Sequence, residues 1–382
     1  MPIREFLTTK TIIHGPGAIQ RLGEILSTFG DEDAALITDP GIASAGLCDT
    51  VAKAAGHELP IYADVEPEPP YALVADCVAF LRTHNCRMVL ALGGGSAIDI
   101  AKMAAVMVNN EGEVPDYFGL NKVPKPGLPV IAIPTTAGTG SEVSPAAVFS
   151  DPRDGTKKGV RSPHILPQVA ILDPELTLTL PQPLTASTGI DALTHAIECY
   201  TSLGATLISD MAAERSIALI GQWLPMAYAN GTDLEAREQM LMASYLAGLA
   251  LSIANVGAVH ALAQTLGGLH HVRHGVANAL FLPYVMEFTR LGCRAKYATV
   301  AALLGEPIDG LSLDEASTLA VEAVRRLCHD LGIPQHLRDL GVPQDSLDTI
   351  AERCLATQGR ILKNNPRILT LEDAKEILRR AY

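Results

Sequence analysis

The sequence predicts two domains of different class: an α/β half with a parallel sheet over residues 1–182, and an all-helical half over 183–382. Three observations carry this. The chain has 382 residues, more than one hydrophobic core usually serves. The first half alternates short β-rich runs with helical patterns, as βαβ units do. Beyond the prolines at 181 and 183, almost every segment from Thr185 to Tyr382 has helical periodicity.

In chain order, "KTIIHG" reads as a strand and "GAIQRLGEILSTFG" as a helix. "AALITD" is a strand, "LCDTVAKAAG" a helix and "LPIYA" a strand. After the turn-rich "VEPEPP" come the helix "ALVADCVAFLRTHN", the strand "RMVLAL", a helix beginning near Ala97 and the strand "PVIAIP". "NKVPKPGLP" is the longest irregular stretch, a loop leading into that strand. In the second half, "SDMAAERSIALIGQWLPMAYAN", "LEAREQMLMASYLAGLALSIANV", "DEASTLAVEAVRRLCHDLG" and "LEDAKEILRRAY" read as helices. No internal repeat or low-complexity tract is evident.

Composition narrows the function. A formal net charge of −13 leaves no basic patch to neutralise a phosphate backbone, which argues against nucleic acid and for a small-molecule ligand. Seven cysteines without a CxxC pair argue against a disulfide framework or a thiolate zinc site and for reduced thiols. The N-terminus carries Arg4 and Glu5 and lacks the apolar region of a signal peptide, so a cytoplasmic protein is expected. Between Glu238 and Arg273 no residue is formally charged, and length alone would admit a membrane span. The run contains Asn255, Gly257, His260, Gln264 and Gly267-Gly268 and has no basic flank, so a buried helix is the better reading and no membrane is expected.

Two glycine-rich turns follow strands of the first half. "RMVLALGGGSAIDIAK" leaves free N–H groups at a helix start with no Cβ in the way at Gly94 and Gly95, a geometry that suits a pyrophosphate. "PVIAIPTTAGTGSEVS" offers hydroxyls at Thr135, Thr136, Thr139 and Ser141. Neither is a GxGxxG fingerprint nor a Walker loop, and singly each reads as a tight connection. Two such turns after strands of one sheet point to a nucleotide cleft at the strand ends. Asp39 of "LITDPG" suits both ribose hydroxyls of NAD and would repel the extra phosphate of NADP; on local grounds it is equally an Asp-Pro-Gly turn residue.

"STGIDALTHAIECY" sets Asp191 and His195 four residues apart on an apolar helix face. One reading is a helix start, with Ser187 or Thr188 as N-cap, Asp191 in the first turn and an ordinary core histidine. The other is two ligands of one metal ion. "NVGAVHALAQTLGGLHHVRHGVANAL" supplies His260 and His274, and one carboxylate with three imidazoles would suit Fe(II), Zn(II) or a similar ion.

The ordered series "IIHGPGAI", "LITD", "LGGGSAIDIAK", "PTTAGTGSEVS", "VAILDPELT", "TGIDALTHAIE", "HGVANA" and "NNPRILT" resembles the iron-dependent (group III) alcohol dehydrogenases nearly end to end. The resemblance implies the fold shared with dehydroquinate synthase, with a site in the cleft between the two domains. It places metal ligands on Asp191, His195, His260 and His274. Cofactor contacts fall on Asp39, Gly94, Gly95, Ser96, Thr135, Thr136, Thr139 and, by a looser match, Lys158. It also implies dimers or larger homo-oligomers.

Two departures stand out: Gln264 replaces a histidine common in relatives, and Arg273 replaces the proline that commonly precedes "HG". The expected activity is NAD-linked oxidation of a primary alcohol or reduction of an aldehyde, with a divalent ion as Lewis acid. His270 is a candidate proton relay, and Arg273, beside His274, a candidate anchor for an anionic substrate tail. The alternatives are a lyase of the dehydroquinate synthase type and a non-catalytic NAD sensor.

Overall fold

The structure, a computed structural model, describes residues 6–30 and 33–382, so the charged N-terminal residues Arg4 and Glu5 lie outside it. The chain divides into two compact units, one ending at Leu180 and the other spanning Pro181–Tyr382.

The first unit is built on β1 (Thr11–His14), β2 (Ala34–Ile37), β3 (Ile61–Tyr62), β4 (Met88–Gly93), β5 (Gly119–Leu120), β6 (Val130–Pro134), β7 (Ala146–Asp151), β8 (Thr156–Arg161) and β9 (Val169–Leu172). Its helices are α1 (Leu22–Ser27), α2 (Pro40–Ser44), α3 (Leu47–Ala55), α4 (Leu73–Thr83) and α5 (Gly95–Met107). Six strands form a parallel sheet in the order β1-β9-β6-β4-β2-β3.

Strand pleating explains why the central strands are apolar throughout. Val89 and Ala91 enter one core with α4 and α5, whereas Leu90 and Leu92 enter the other with α1 and α3. Both faces are thus covered, which the hydrophobic effect requires of a parallel sheet. From β2 the chain moves outward to β3, then returns to β4 on the other side of β2 and continues to β6. The β2–β4 junction is therefore the topological switch point, where strands leave a crevice at their carboxyl ends.

A second sheet, β5-β8-β7, has no counterpart in the sequence reading. Its β7–β8 hairpin turns through "DPRDG", and its charge is matched locally: the buried carboxylate of Asp151 meets Arg153 and Lys158 at 2.7 Å each. A segment as rich in charge as "DPRDGTKKGVR" gives little apolar alternation to read.

The second unit comprises α6 (Gln182–Thr201), α7 (Leu207–Ala229), α8 (Leu234–Ala254), α9 (Ala258–His270), α10 (His274–Thr289), α11 (Arg294–Leu303), α12 (Leu313–Asp330), α13 (Leu347–Thr357), α14 (Gly359–Leu362) and α15 (Leu371–Arg380). Helix α6 packs against α7, α8 and α10, and Gly189 permits the approach to α7: a Cβ there would stand 2.3 Å from Leu224 Cδ1. The uncharged run becomes two helices, α8 and α9, meeting at 100°, and among the described residues no single helix is long and apolar enough to cross a membrane. All seven cysteines are free.

Candidate metal centre and nucleotide turns

Helix α6 begins at Gln182 with Pro181 as N-cap and Pro183 in its first turn, positions where proline's fixed φ and missing N–H cost nothing. This overturns the helix-start reading: Ser187 and Thr188 lie inside the helix, with both hydroxyls donating to the Leu184 carbonyl. Asp191 is in mid-helix and 2 % exposed. A carboxylate there needs partners, and it has three imidazoles.

His195, one turn on, places Nδ1 3.9 Å from Asp191 Oδ2; Nε2 of His260 and of His274 each lie 3.9 Å from Asp191 Oδ1. These separations are too long for hydrogen bonds. They suit atoms sharing an ion, since two donors each about 2.0–2.2 Å from one cation stand at most about 4.4 Å apart. Asp191, His195 and His260 offer ligand atoms all within 4.8 Å of one another, and His274 joins them through Asp191. Burial pushes the Asp191 carboxyl up, but His195, His274, His260 and the Asn278 amide oppose it, leaving the group net below its ordinary value. The donor set and its spacing therefore fit a divalent ion.

Glu198, which sequence reasoning passed over, organises this site. Its Oε1 accepts from Val259 N–H at 2.7 Å and its Oε2 meets His260 Nδ1 at 2.6 Å. One carboxylate thus caps the start of α9 and fixes the His260 ring, leaving Nε2 toward Asp191, a carboxylate–histidine arrangement typical of metal ligands. Gly257 makes room: a Cβ there would stand 3.2 Å from Glu198 Oε1. Asn365, of the "NNPRILT" motif, accepts from Ala258 N–H at the same helix end. Gly275 performs the same service for α10, where a Cβ would lie 2.9 Å from the Ser187 carbonyl oxygen of α6. Glu198→Ala should therefore weaken metal binding about 10–100-fold, as measured against a competing chelator; an unchanged affinity would reduce Glu198 to a helix cap.

His270 ends α9 half-buried, His271 follows in the left-handed region (φ 54), and Arg273 is exposed immediately before α10. Gln264 lies half-buried on α9.

In the first unit, Asp39 stands just past the end of β2 and Gly93 at the end of β4. Asp39 Oδ1 accepts from Ile42 N–H, capping the short α2, while its Oδ2 faces Gly93, 3.3 Å from where a Cβ would be. Helix α5 starts at Gly95, two residues earlier than the sequence suggests, because extended Gly94 is its N-cap. Gly94 lies against Thr136 and Gly95 against Thr139: a Cβ on Gly95 would meet Thr139 Cγ2 at 2.7 Å. The turns after β4 and β6 are thereby pressed together, and Thr135, at the start of the second, is buried.

Ser96 Oγ accepts from Glu68 N–H, and Glu68 pairs at 3.0 Å with Lys157, a residue the sequence reading did not single out. Lys158 instead directs Nζ to Asp151 and Asp154, at 2.7 Å each. Arg161 ends β8 and His164 follows in an exposed turn.

Lys102, fully buried on α5, anchors the second turn. Its ammonium donates to Ser141 Oγ (2.8 Å) and to the carbonyls of Ser141, Ser144 and Ala146, and pairs with Asp99. Beside it Glu142 is buried, which pushes its carboxyl up to about 7 despite Lys102. A folded-state value above the unfolded one means the native protein binds the extra proton, so this stabilisation is complete below about 4.5 and is lost as pH rises through about 7, a change of about 3 kcal/mol. Glu142→Gln should flatten the fall in melting temperature between about pH 5 and about pH 8; identical pH profiles would contradict the assignment.

A doubly wound sheet with glycine-rich turns at its strand ends in one unit, and a buried carboxylate–histidine cluster in the other, suit a metal-dependent oxidoreductase. Residues 9–174 match the family described as iron-containing alcohol dehydrogenase, and residues 185–382 the C-terminal part of the Fe-containing alcohol dehydrogenase family. The chain belongs to the iron-containing alcohol dehydrogenase family. It is 38% identical over 379 residues to the NAD-dependent methanol dehydrogenase of Bacillus methanolicus, covering 98% of this chain and 99% of that one. It is 40% identical to the 1,3-propanediol dehydrogenase of Citrobacter freundii, covering 99% and 98%. It is 37% identical to the sulfoacetaldehyde reductase of Bilophila wadsworthia, covering 97% of each. A solved 1,3-propanediol oxidoreductase superposes over 100% of both chains with a TM-score of 0.96 at 40% identity. Family membership decides for the dehydrogenase reading over the lyase and sensor readings.

Proposed function

We propose that the chain is an NAD(H)-linked, metal-dependent reductase of small aldehydes, acting in reverse as a primary alcohol dehydrogenase. The observation that carries this is the gathering of Asp191, His195 and His260 within 4.8 Å of one another, with His274 Nε2 3.9 Å from Asp191 Oδ1. A divalent ion, Fe(II) or Zn(II), held by Asp191, His195, His260 and His274 would supply Lewis acidity toward a substrate oxygen, and NAD(H) would supply the hydride chemistry. Asp191 partly neutralises that ion, and Glu198 holds His260 in its ligating tautomer. His270 is the proposed proton relay.

In the first unit, the N–H groups at Gly95 and Ser96 take the pyrophosphate at the N-terminus of α5, and Gly94 lets it approach. Thr135, Thr136 and Thr139 supply hydroxyls, and Asp39 Oδ2 takes the adenosine ribose, favouring NAD over NADP. Of the two adjacent lysines, Lys157 is the better cofactor contact: it pairs with Glu68 beside Ser96, whereas Lys158 is held by two aspartates. The protein acts in the cytoplasm as a homodimer or larger homo-oligomer, with no nucleic-acid or membrane partner.

The finer substrate reading rests on Arg273, exposed next to His274. A guanidinium there suits a carboxylate, phosphonate or sulfonate tail, and the similarity to a sulfoacetaldehyde reductase supports it. Relative turnover efficiency on a semialdehyde acid, sulfoacetaldehyde and propanal tests it. The charged aldehydes should lead by about tenfold, about 1.4 kcal/mol of transition-state binding, and Arg273→Ala should erase most of that lead. Preference for propanal, or an unaltered preference in the variant, would leave a general short-chain alcohol dehydrogenase.

A further inference from the structure

Asn278 is fully buried on α10, one turn beyond His274. Its Nδ2 lies 2.6 Å from Asp191 Oδ1 and 3.1 Å from Nε2 of both His260 and His274. These are three of the atoms assigned above to the ion. An amide nitrogen carries two protons, fewer than the three close contacts it makes here. Meanwhile the other amide atom, Oδ1, is buried without a hydrogen-bond partner, which costs free energy. Both ends of this amide are thus mismatched to their surroundings: a donor stands among the proposed ion ligands, and the acceptor has no hydrogen-bond partner.

A half turn about χ2 exchanges the two atoms while leaving the side chain in place. An ion held by Asp191, His260 and His274 would lie against whichever amide atom occupies the present Nδ2 position. An N–H₂ group is repelled there, and a carbonyl oxygen is attracted.

We propose that Asn278 is a fifth protein donor of the metal centre, its carbonyl oxygen turned to the ion. This rests on the ligand reading above and goes beyond it. A fifth donor suits Fe(II), for which five- and six-fold coordination is ordinary, better than Zn(II), whose protein sites are mostly four-coordinate.

Two substitutions of similar size separate this role from a purely structural one. Asn278→Leu removes both polar atoms, whereas Asn278→Asp removes the N–H₂ donor but keeps an oxygen. Full-length protein, stripped of metal, is titrated anaerobically with Fe(II) and separately with Zn(II) against a chromophoric chelator, and the Co(II) form is examined for its ligand-field absorption.

Asn278→Leu should bind Fe(II) at least about tenfold more weakly, with a smaller loss for Zn(II), and its Co(II) bands should intensify as the coordination number falls. Asn278→Asp should hold Fe(II) at least as well as wild type, while its metal-free form melts lower because two carboxylates then face each other without a donor. An Asp variant as weak as the Leu variant, or a Leu variant with wild-type Fe(II) affinity and Co(II) spectrum, overturns the proposal. If the Leu variant does not fold, the Fe(II) affinity of the Asp variant decides alone. Failure of the underlying ligand reading would look different, since wild type itself would then bind neither ion.

Discussion

His274→Ala is expected to lose bound metal and at least about a hundredfold in aldehyde turnover, while NADH still binds with wild-type affinity. The separation follows from where the residues lie. All four proposed ligands belong to the unit spanning Pro181–Tyr382, whereas Asp39, Gly94, Gly95, Ser96 and the threonine turn belong to the unit ending at Leu180. Removing His274 leaves Asp191, His195 and His260 at their positions on α6 and α9, so the fold persists and the ion is held by an incomplete set. Elemental analysis of the purified variant, together with an NADH titration, checks both halves of the expectation. Full metal occupancy would remove His274 from the site, and a parallel loss of NADH binding would show that the variant had damaged more than the ligand set.

Gly95→Val should have the complementary effect, weakening NAD(H) binding at least about tenfold while metal content is retained. The reason is steric. A single Cβ on Gly95 already meets Thr139 Cγ2 at 2.7 Å, Oγ1 at 2.9 Å and Cβ at 3.0 Å. Thr139 is β-branched and short, so its Cβ cannot swing clear without moving the backbone of the second turn. Lys102 pins that turn through Ser141, Ser144 and Ala146, which leaves it little room to yield. The strain therefore falls on the start of α5, whose N–H groups are the proposed pyrophosphate site. Equal NADH affinity in wild type and variant would mean that the glycine serves packing alone.

Strands β2, β4 and β6 were legible because a strand buried on both faces is a continuous apolar run, and the glycine turns after β4 and β6 were legible because few other residues tolerate such close approach. Helix α6 was legible as a helix but not in its start: the prolines at 181 and 183, read as a domain boundary, are also the N-cap and first turn, and this moves Asp191 from a helix end to the buried middle.

Asp191 and His195 could be found because both lie on one helix face within one turn. Glu198 follows the same logic, a buried acid on that same helix, and could have been found by asking what satisfies it. Asn278 could not. Its role depends on α10 approaching α6 and α9, and nothing in "HGVANA" says that the asparagine four residues past the histidine meets a carboxylate 87 positions earlier. The β7–β8 hairpin was missed because exposed Val148 and buried Asp151 invert the polar–apolar alternation of β7, and β8 is mostly polar and charged.

The histidine cluster is proposed to hold the ion on which aldehyde chemistry depends. The most direct test is NADH consumption by the metal-stripped full-length protein with a short aldehyde, before and after addition of one equivalent of Fe(II) or Zn(II). Turnover that is absent in the stripped protein, returns on reloading and fails to return in His274→Ala is the predicted result. Equal turnover by stripped and reloaded protein, with metal verified absent, would contradict it.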